Sequence, residues 1–129
     1  MNLQGEKVTV NKSDKELFEF LTKTENFEAV LPDDLEEFKV KDDSFIFNMK
    51  GMPAVKMVFT EKTPNQTVKL KADNDMVPVY LTCNINSKGD HQSEAKLSFE
   101  GEVNMMMAMM VKKPLQNLLD VLTKKMSEL

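Results

Sequence analysis

The 129-residue sequence contains no arginine: all 17 of its basic side chains are lysine. The planar guanidinium fork is the preferred reader of phosphate and of guanine edges. With that fork missing and a formal net charge of −4, no nucleic-acid partner is expected. Cysteine occurs once, at Cys83, which rules out an internal disulfide and suits a reducing compartment. No stretch approaches the roughly 20 consecutive apolar residues of a membrane-spanning helix, and MNLQGEKVTV lacks the apolar core of a signal peptide. A cytoplasmic protein without an integral membrane segment is therefore expected, and the sequons at Asn11 and Asn65 are read as coincidental. Four glycines leave little from which to build a phosphate-binding loop, and neither a nucleophile elbow nor a metal-ligand spacing of histidine and cysteine occurs. No cofactor and no metal are expected.

What is present is an ordinary globular composition, 41% hydrophobic and 29% charged, on a chain long enough for one core. Periodicity divides it. LQGEKVTV reads as a strand. In SDKELFEFLTK, Ser13 and Glu16 have capping-box spacing, and Leu17, Phe18 and Leu21 form a helical stripe. ENFEAVLP offers Phe27, Val30 and Leu31 in a second short helical turn that Pro32 ends. From Leu35 the period changes to 2, the repeat of strands. Phe38 and Val40, then Phe45, Phe47 and Met49, then Val55, Met57 and Phe59 each share a face. So do Val68, Leu70 and Ala72, then Val77, Val79, Leu81, Cys83 and Ile85, and finally Ala95, Leu97, Phe99 and Val103. The order predicts a meander of six strands with one covered face. The chain closes on a long helix whose stripe is Val111, Leu115, Leu118, Leu119, Leu122 and Met126, with Lys124 and Lys125 at its negative end. Pro114 within it removes a hydrogen bond to the Met110 carbonyl, so a kink or a break is expected there.

The order of strand, two short helices, six strands and terminal helix resembles the helix-grip fold of the START and polyketide-cyclase-like (SRPBCC) superfamily, which includes the birch-pollen-allergen proteins. The resemblance rests on SDKELFEFLTKTENFEAVLP, the hairpin-rich centre and VKKPLQNLLDVLTKKM. It spans residues 1–129 as a single domain. It implies an α+β fold in which a curved seven-stranded antiparallel sheet wraps the terminal helix, often around a cavity for an apolar molecule. Ligands of that superfamily commonly enter beside the start of the long helix.

The most unusual segment lies there. NMMMAMMVKKP holds Met105, Met106, Met107, Met109 and Met110, and methionine is a flexible, polarizable side chain that adapts to apolar shapes. In a meander alternate loops share one end, which gathers Met52 and Met76 with Met105 and Met109 as portal candidates. Phe47, Met49, Met57, Phe59, Leu70, Leu81, Phe99, Met106 and Met110 are the expected ligand-lining residues. Three readings of the run stand: core filling, a gate over an apolar cavity, or an exposed patch for a homodimer or another partner.

Titratable groups are scarce on the inward faces. His91, the sole histidine, lies beside the SKGD turn at the opposite end and reads as a solvated turn residue. Cys83 reads as a small buried hydrophobe. Glu61 keeps inward parity but sits at a strand end. Adjacent acids such as Asp33 and Asp34, or Glu36 and Glu37, do not converge on one face. Non-enzymatic binding of a hydrophobic small molecule is the leading expectation, whether a lipid, an isoprenoid or an aromatic metabolite. A cyclase- or hydrolase-type enzyme using the same cavity, and an interaction protein, are the alternatives.

Overall fold

The structure, a computed structural model, describes residues 1–49, 54–73 and 79–129; the side chain of Met49, with Met52, Met76 and Val77, lies outside the described residues. Two short strands, β1 (Asn2–Gln4) and β2 (Val8–Val10), precede helix α1 (Asp14–Leu21) and a 3₁₀ helix (Thr24–Ala29). The meander is β3 (Leu35–Lys41), β4 (Ser44–Met49), β5 (Val55–Thr63), β6 (Thr67–Ala72), β7 (Val79–Ser87) and β8 (Ser93–Gly101), and α2 (Met105–Ser127) closes the chain. All pairings are antiparallel, in the order β1-β8-β7-β6-β5-β4-β3, with β2 also on β8. This is the α+β helix-grip architecture, with one difference from the sequence expectation: the first strand is two strands, which makes eight.

Gly5 lies at the split. Its N–H donates to the Leu97 carbonyl at 2.8 Å, and α2 crosses so closely that a Cβ there would stand 2.8 Å from Thr123 Oγ1 and 3.1 Å from the Leu97 oxygen. A side chain here would require Thr123 or the β8 backbone to shift, so glycine is the residue that fits beneath the helix without strain.

The capping box of α1 is complete: Ser13 Oγ accepts from the Glu16 N–H at 3.1 Å, and Glu16 accepts from the Ser13 N–H at 3.2 Å. These bonds hold the exposed Glu16 carboxyl below its ordinary range, because they favour its charged form. Leu17 and Leu21, one turn apart, are buried as α1 packs on β6, β7 and β8. The second short helix is 3₁₀, tied to the end of α1 by Asn26 Nδ2 donating to the Phe20 carbonyl at 2.9 Å. It delivers Phe27, Val30 and Leu31 into the core.

Phe27 stacks on Phe45 with ring centroids 4.8 Å apart and meets Phe59 edge-on at 5.9 Å, while Phe38 and Phe47 flank Phe45. Such contacts add about 0.5–1.5 kcal/mol beyond the area that they bury. The concave face is thus filled by aromatics toward β3–β5 and by α1 toward β6–β8. The second half of α2 covers β8 and β2 through Leu118, Leu119, Leu122 and Met126.

Two β-bulges interrupt the alternation, between Leu35 and Glu37 and between Phe59 and Glu61. The second turns Glu61 out to solvent, where its carboxylate accepts from the Thr63 hydroxyl at 3.1 Å. Helix α2 runs unbroken through Pro114, so the expected break does not occur. The carbonyl deprived of a donor belongs to Met110, which is exposed and can use water instead.

Candidate functional site

The floor of the concave face is apolar and tightly covered. Phe47, Met57, Leu70, Leu81 and Phe99 are all buried, and Phe59 is half-buried beside the bulge with Lys62 Nζ 4.4 Å from its ring centroid. These six expected lining residues come together on one surface. Met49, Met52 and Met76 belong to the same expectation but fall outside the described residues.

The helical methionines are placed differently. Met105, Met106, Met109 and Met110 are 82%, 74%, 78% and 66% exposed. Met106 and Met110, expected to reach the interior, instead share the outward face with Met105 and Met109. The phase of the helix is the reason. Residues in α2 are about 100° apart around its axis, and Leu118, Leu119, Leu122 and Met126 fix the core-facing side. Followed backwards, that side passes through Leu115, Val111, Ala108 and Met107, which are half-buried. The other four methionines lie opposite. The apolar stripe legible in the sequence already contained this phase, and continuing it two turns toward the N-terminus would have found the outward face.

Asn104, which the sequence patterns did not single out, caps α2 by accepting from the Met107 N–H at 2.8 Å. An asparagine directly before an apolar helical run was the available signal. At the other end Lys125, in the last turn, pairs with Asp33.

Proton-transfer chemistry has little to work with inside. The Cys83 thiol is buried and its pKa is pushed up to about 12, because burial disfavours the thiolate. It is a packing residue, not a nucleophile. The side-chain oxygens of Ser93 and Thr123 are buried without partners among the described residues. No cluster of three or more metal-ligating side chains occurs among the described residues, and no helix there is long and apolar enough to cross a membrane.

Two open clefts lie elsewhere on the surface. One, of about 520 Å³, runs along the turn from Lys88 to Gln92 beside Asn11 and includes exposed His91. The other, of about 390 Å³, lies between the 3₁₀ helix and β3, with Glu28, Asp33, Glu36 and Glu37 around Leu35 and Phe38. Neither combines a nucleophile with a base.

The profile of the CoxG family, described as a carbon monoxide dehydrogenase subunit, matches residues 6–128. The chain belongs to the CoxG family. Solved structures similar to this CoxG-family chain include norcoclaurine synthase from Thalictrum flavum in complex with dopamine and hydroxybenzaldehyde. That match has 16% identity and a TM-score of 0.72, and covers 99% of this chain and 87% of that one. A conserved protein from Geobacillus kaustophilus aligns at 13% identity with a TM-score of 0.72, covering 99% and 93% of the two chains. A START superfamily protein from Mycobacterium smegmatis aligns at 12% identity with a TM-score of 0.66, covering 98% and 97%. Among curated proteins none matches. At these identities the structural likenesses establish the fold of the CoxG-family chain and do not transfer a ligand or a reaction.

Proposed function

We propose that this CoxG-family protein binds a hydrophobic small molecule, of lipid, isoprenoid or aromatic character, against the concave face of its sheet, and that it does so without catalysing a reaction. The observation that carries the reading is the chemistry of that face. Phe47, Met57, Leu70, Leu81 and Phe99 form a continuous apolar interior, covered here by the 3₁₀-helix aromatics and α1, which a ligand would have to displace, and the buried titratable side chain among them, Cys83, is held protonated. A surface of this kind binds by apolar burial and shape, whereas acid-base catalysis needs a group whose pKa lies near the working pH. Entry is proposed at the end of the sheet where α2 begins, the end that strand parity in the sequence favours.

Native mass spectrometry before and after organic extraction, combined with titration of a lipophilic fluorophore, tests this. A bound or displaceable apolar ligand is expected. The same fluorophore titrated into Met106→Lys/Met109→Lys protein separates interior binding, which persists, from adsorption to the outward methionines, which is lost. A protein with no bound mass and no saturable uptake overturns the proposal.

An interaction role is the second reading. It is favoured by the exposed methionine face and by the description of the family as part of a dehydrogenase.

A further inference from the structure

The two edges of the sheet are finished differently. On one side β1 and β2, three residues each, share β8, and α2 packs over β2. On the other side β3 runs for seven residues, and among the described residues no strand pairs with its outer side. The β3–β4 hairpin fixes which backbone groups point there. Lys41 and Ser44 flank a two-residue turn, so they are the closing pair, which exchanges both of its backbone hydrogen bonds. Alternation then turns the N–H and C=O of Lys39 and Glu37 toward Ile46 and Asn48, and those of Phe38 and Val40 away from β4. An edge of this kind is a template for one further strand.

The side chains beside the template say which strand it suits. Phe38 lies on the concave side, its ring centroid 5.7 Å from that of Phe45, and Val40, two residues on, shares that side. Val40 is 43% exposed, the one large hydrophobic side chain outside α2 left so open among the described residues. Beside Phe38 is the cleft of about 390 Å³ that includes Glu28 and Glu36. Asp33 in that cleft pairs with Lys125, and Glu37 pairs with Lys39. Glu28 and Glu36 are exposed and have no ion-pair partner among the described residues. Free backbone groups, an open apolar strip and uncompensated negative charge therefore adjoin one another. A second copy of this chain fits them poorly. Acids flank both ends of β3, Asp33 and Asp34 before it and Asp42 and Asp43 after it, and two-fold antiparallel pairing sets the start of one β3 beside the end of the other, acid against acid. A basic segment is attracted at both ends.

We propose that the outer edge of β3 takes up an extended basic segment of another protein as an added antiparallel strand. Its apolar residues, at alternate positions, lie opposite Phe38 and Val40, and its lysine or arginine enters the cleft at Glu28 and Glu36. The inference goes beyond small-molecule binding and does not rest on it, since the edge lies beside the covered interior and not within it.

Fluorescence anisotropy of the full chain with a labelled peptide Val-Thr-Val-Thr-Lys, both termini blocked, tests the proposal. Saturable binding is expected. A peptide ending in glutamate in place of lysine should bind at least ten-fold more weakly. N-methylation of both valines, whose N–H groups face β3 in this pairing, should abolish binding. Val40→Pro removes an N–H that points away from β4, a position where an edge strand accepts proline, and is expected to weaken binding at least ten-fold with an unchanged circular dichroism spectrum. Glu28→Lys/Glu36→Lys, at two exposed sites, makes the test independent of that proline: the preference should reverse, with the glutamate peptide now bound more tightly. The absence of saturable binding to wild type, equal binding of the two charge forms, or undiminished binding of the N-methylated peptide overturns the proposal. So does a wild-type dimer in sedimentation velocity that Val40→Pro abolishes, which would assign the edge to a second copy. Lipophilic fluorophore uptake is expected to persist in both variants, so failure of peptide binding is distinguished from failure of the small-molecule reading.

Discussion

The two halves of α2 form one continuous helix and obey opposite rules. From Leu118 onward, Leu118, Leu119, Leu122 and Met126 are buried and Val121 is half-buried, while Asp120 and Lys124 face water. Before Pro114 the core-facing side is apolar and so is the side facing solvent. Helix formation therefore does not account for the outer methionines of the first half, because the second half forms the same helix with a polar outer side. The surplus on the outer side of the first half is an exposed apolar stripe that the core does not require.

The comparison predicts an asymmetry in stability. Leu119→Ala removes a fully buried side chain and is expected to cost about 3 kcal/mol in urea unfolding, within the 2–5 kcal/mol span of such truncations. Met109→Ala, on an exposed site, should stay within about 0.5 kcal/mol of wild type, as substitutions away from packed sites do. Equal losses would break the distinction between the halves.

Gly5→Ala probes the second half from below. The new methyl would meet Thr123 Oγ1 and the Leu97 backbone oxygen, and a backbone atom cannot move aside as a flexible side chain can. A loss of about 1–3 kcal/mol is expected. Full tolerance would show that α2 has room to rise from β8.

At the junction, Pro114→Ala restores an N–H that can donate to the Met110 carbonyl. Interior proline costs a helix about 3 kcal/mol, and part of that gain is offset by the greater freedom of the unfolded chain. A net stabilisation of about 1–2 kcal/mol is expected, with slower amide exchange in the first half. A smaller loss is expected of Asn104→Ala, which removes the cap on the Met107 N–H at a cost of about 1 kcal/mol. It should fray the first turn while leaving exchange at Leu118 to Met126 unchanged.

Much of the fold was legible in the sequence because strand alternation is a local signal that burial enforces. Phe45, Phe47, Met57, Leu70, Leu81, Leu97 and Phe99 are on the covered face as their spacing implied. The capping box at Ser13 was equally local. The split of the first strand was not, since Gly5 matters through Thr123, more than a hundred residues away. Glu61 kept inward parity in the sequence only because a bulge cannot be counted from alternation. The methionine run failed for another reason. Composition marked it as unusual, but its direction depended on a helical phase set by residues two turns further on.

Four sulfur atoms in water also make this protein a recorder of its own surroundings. Thioethers are oxidised to sulfoxides according to their accessibility. Met57 and Met126 are buried, while Met105, Met106, Met109 and Met110 are exposed. A brief exposure to dilute peroxide should therefore write oxygen onto the outer face of α2 first. The positions left unmarked, read by peptide mass, would map whatever was covering that face at the moment of exposure.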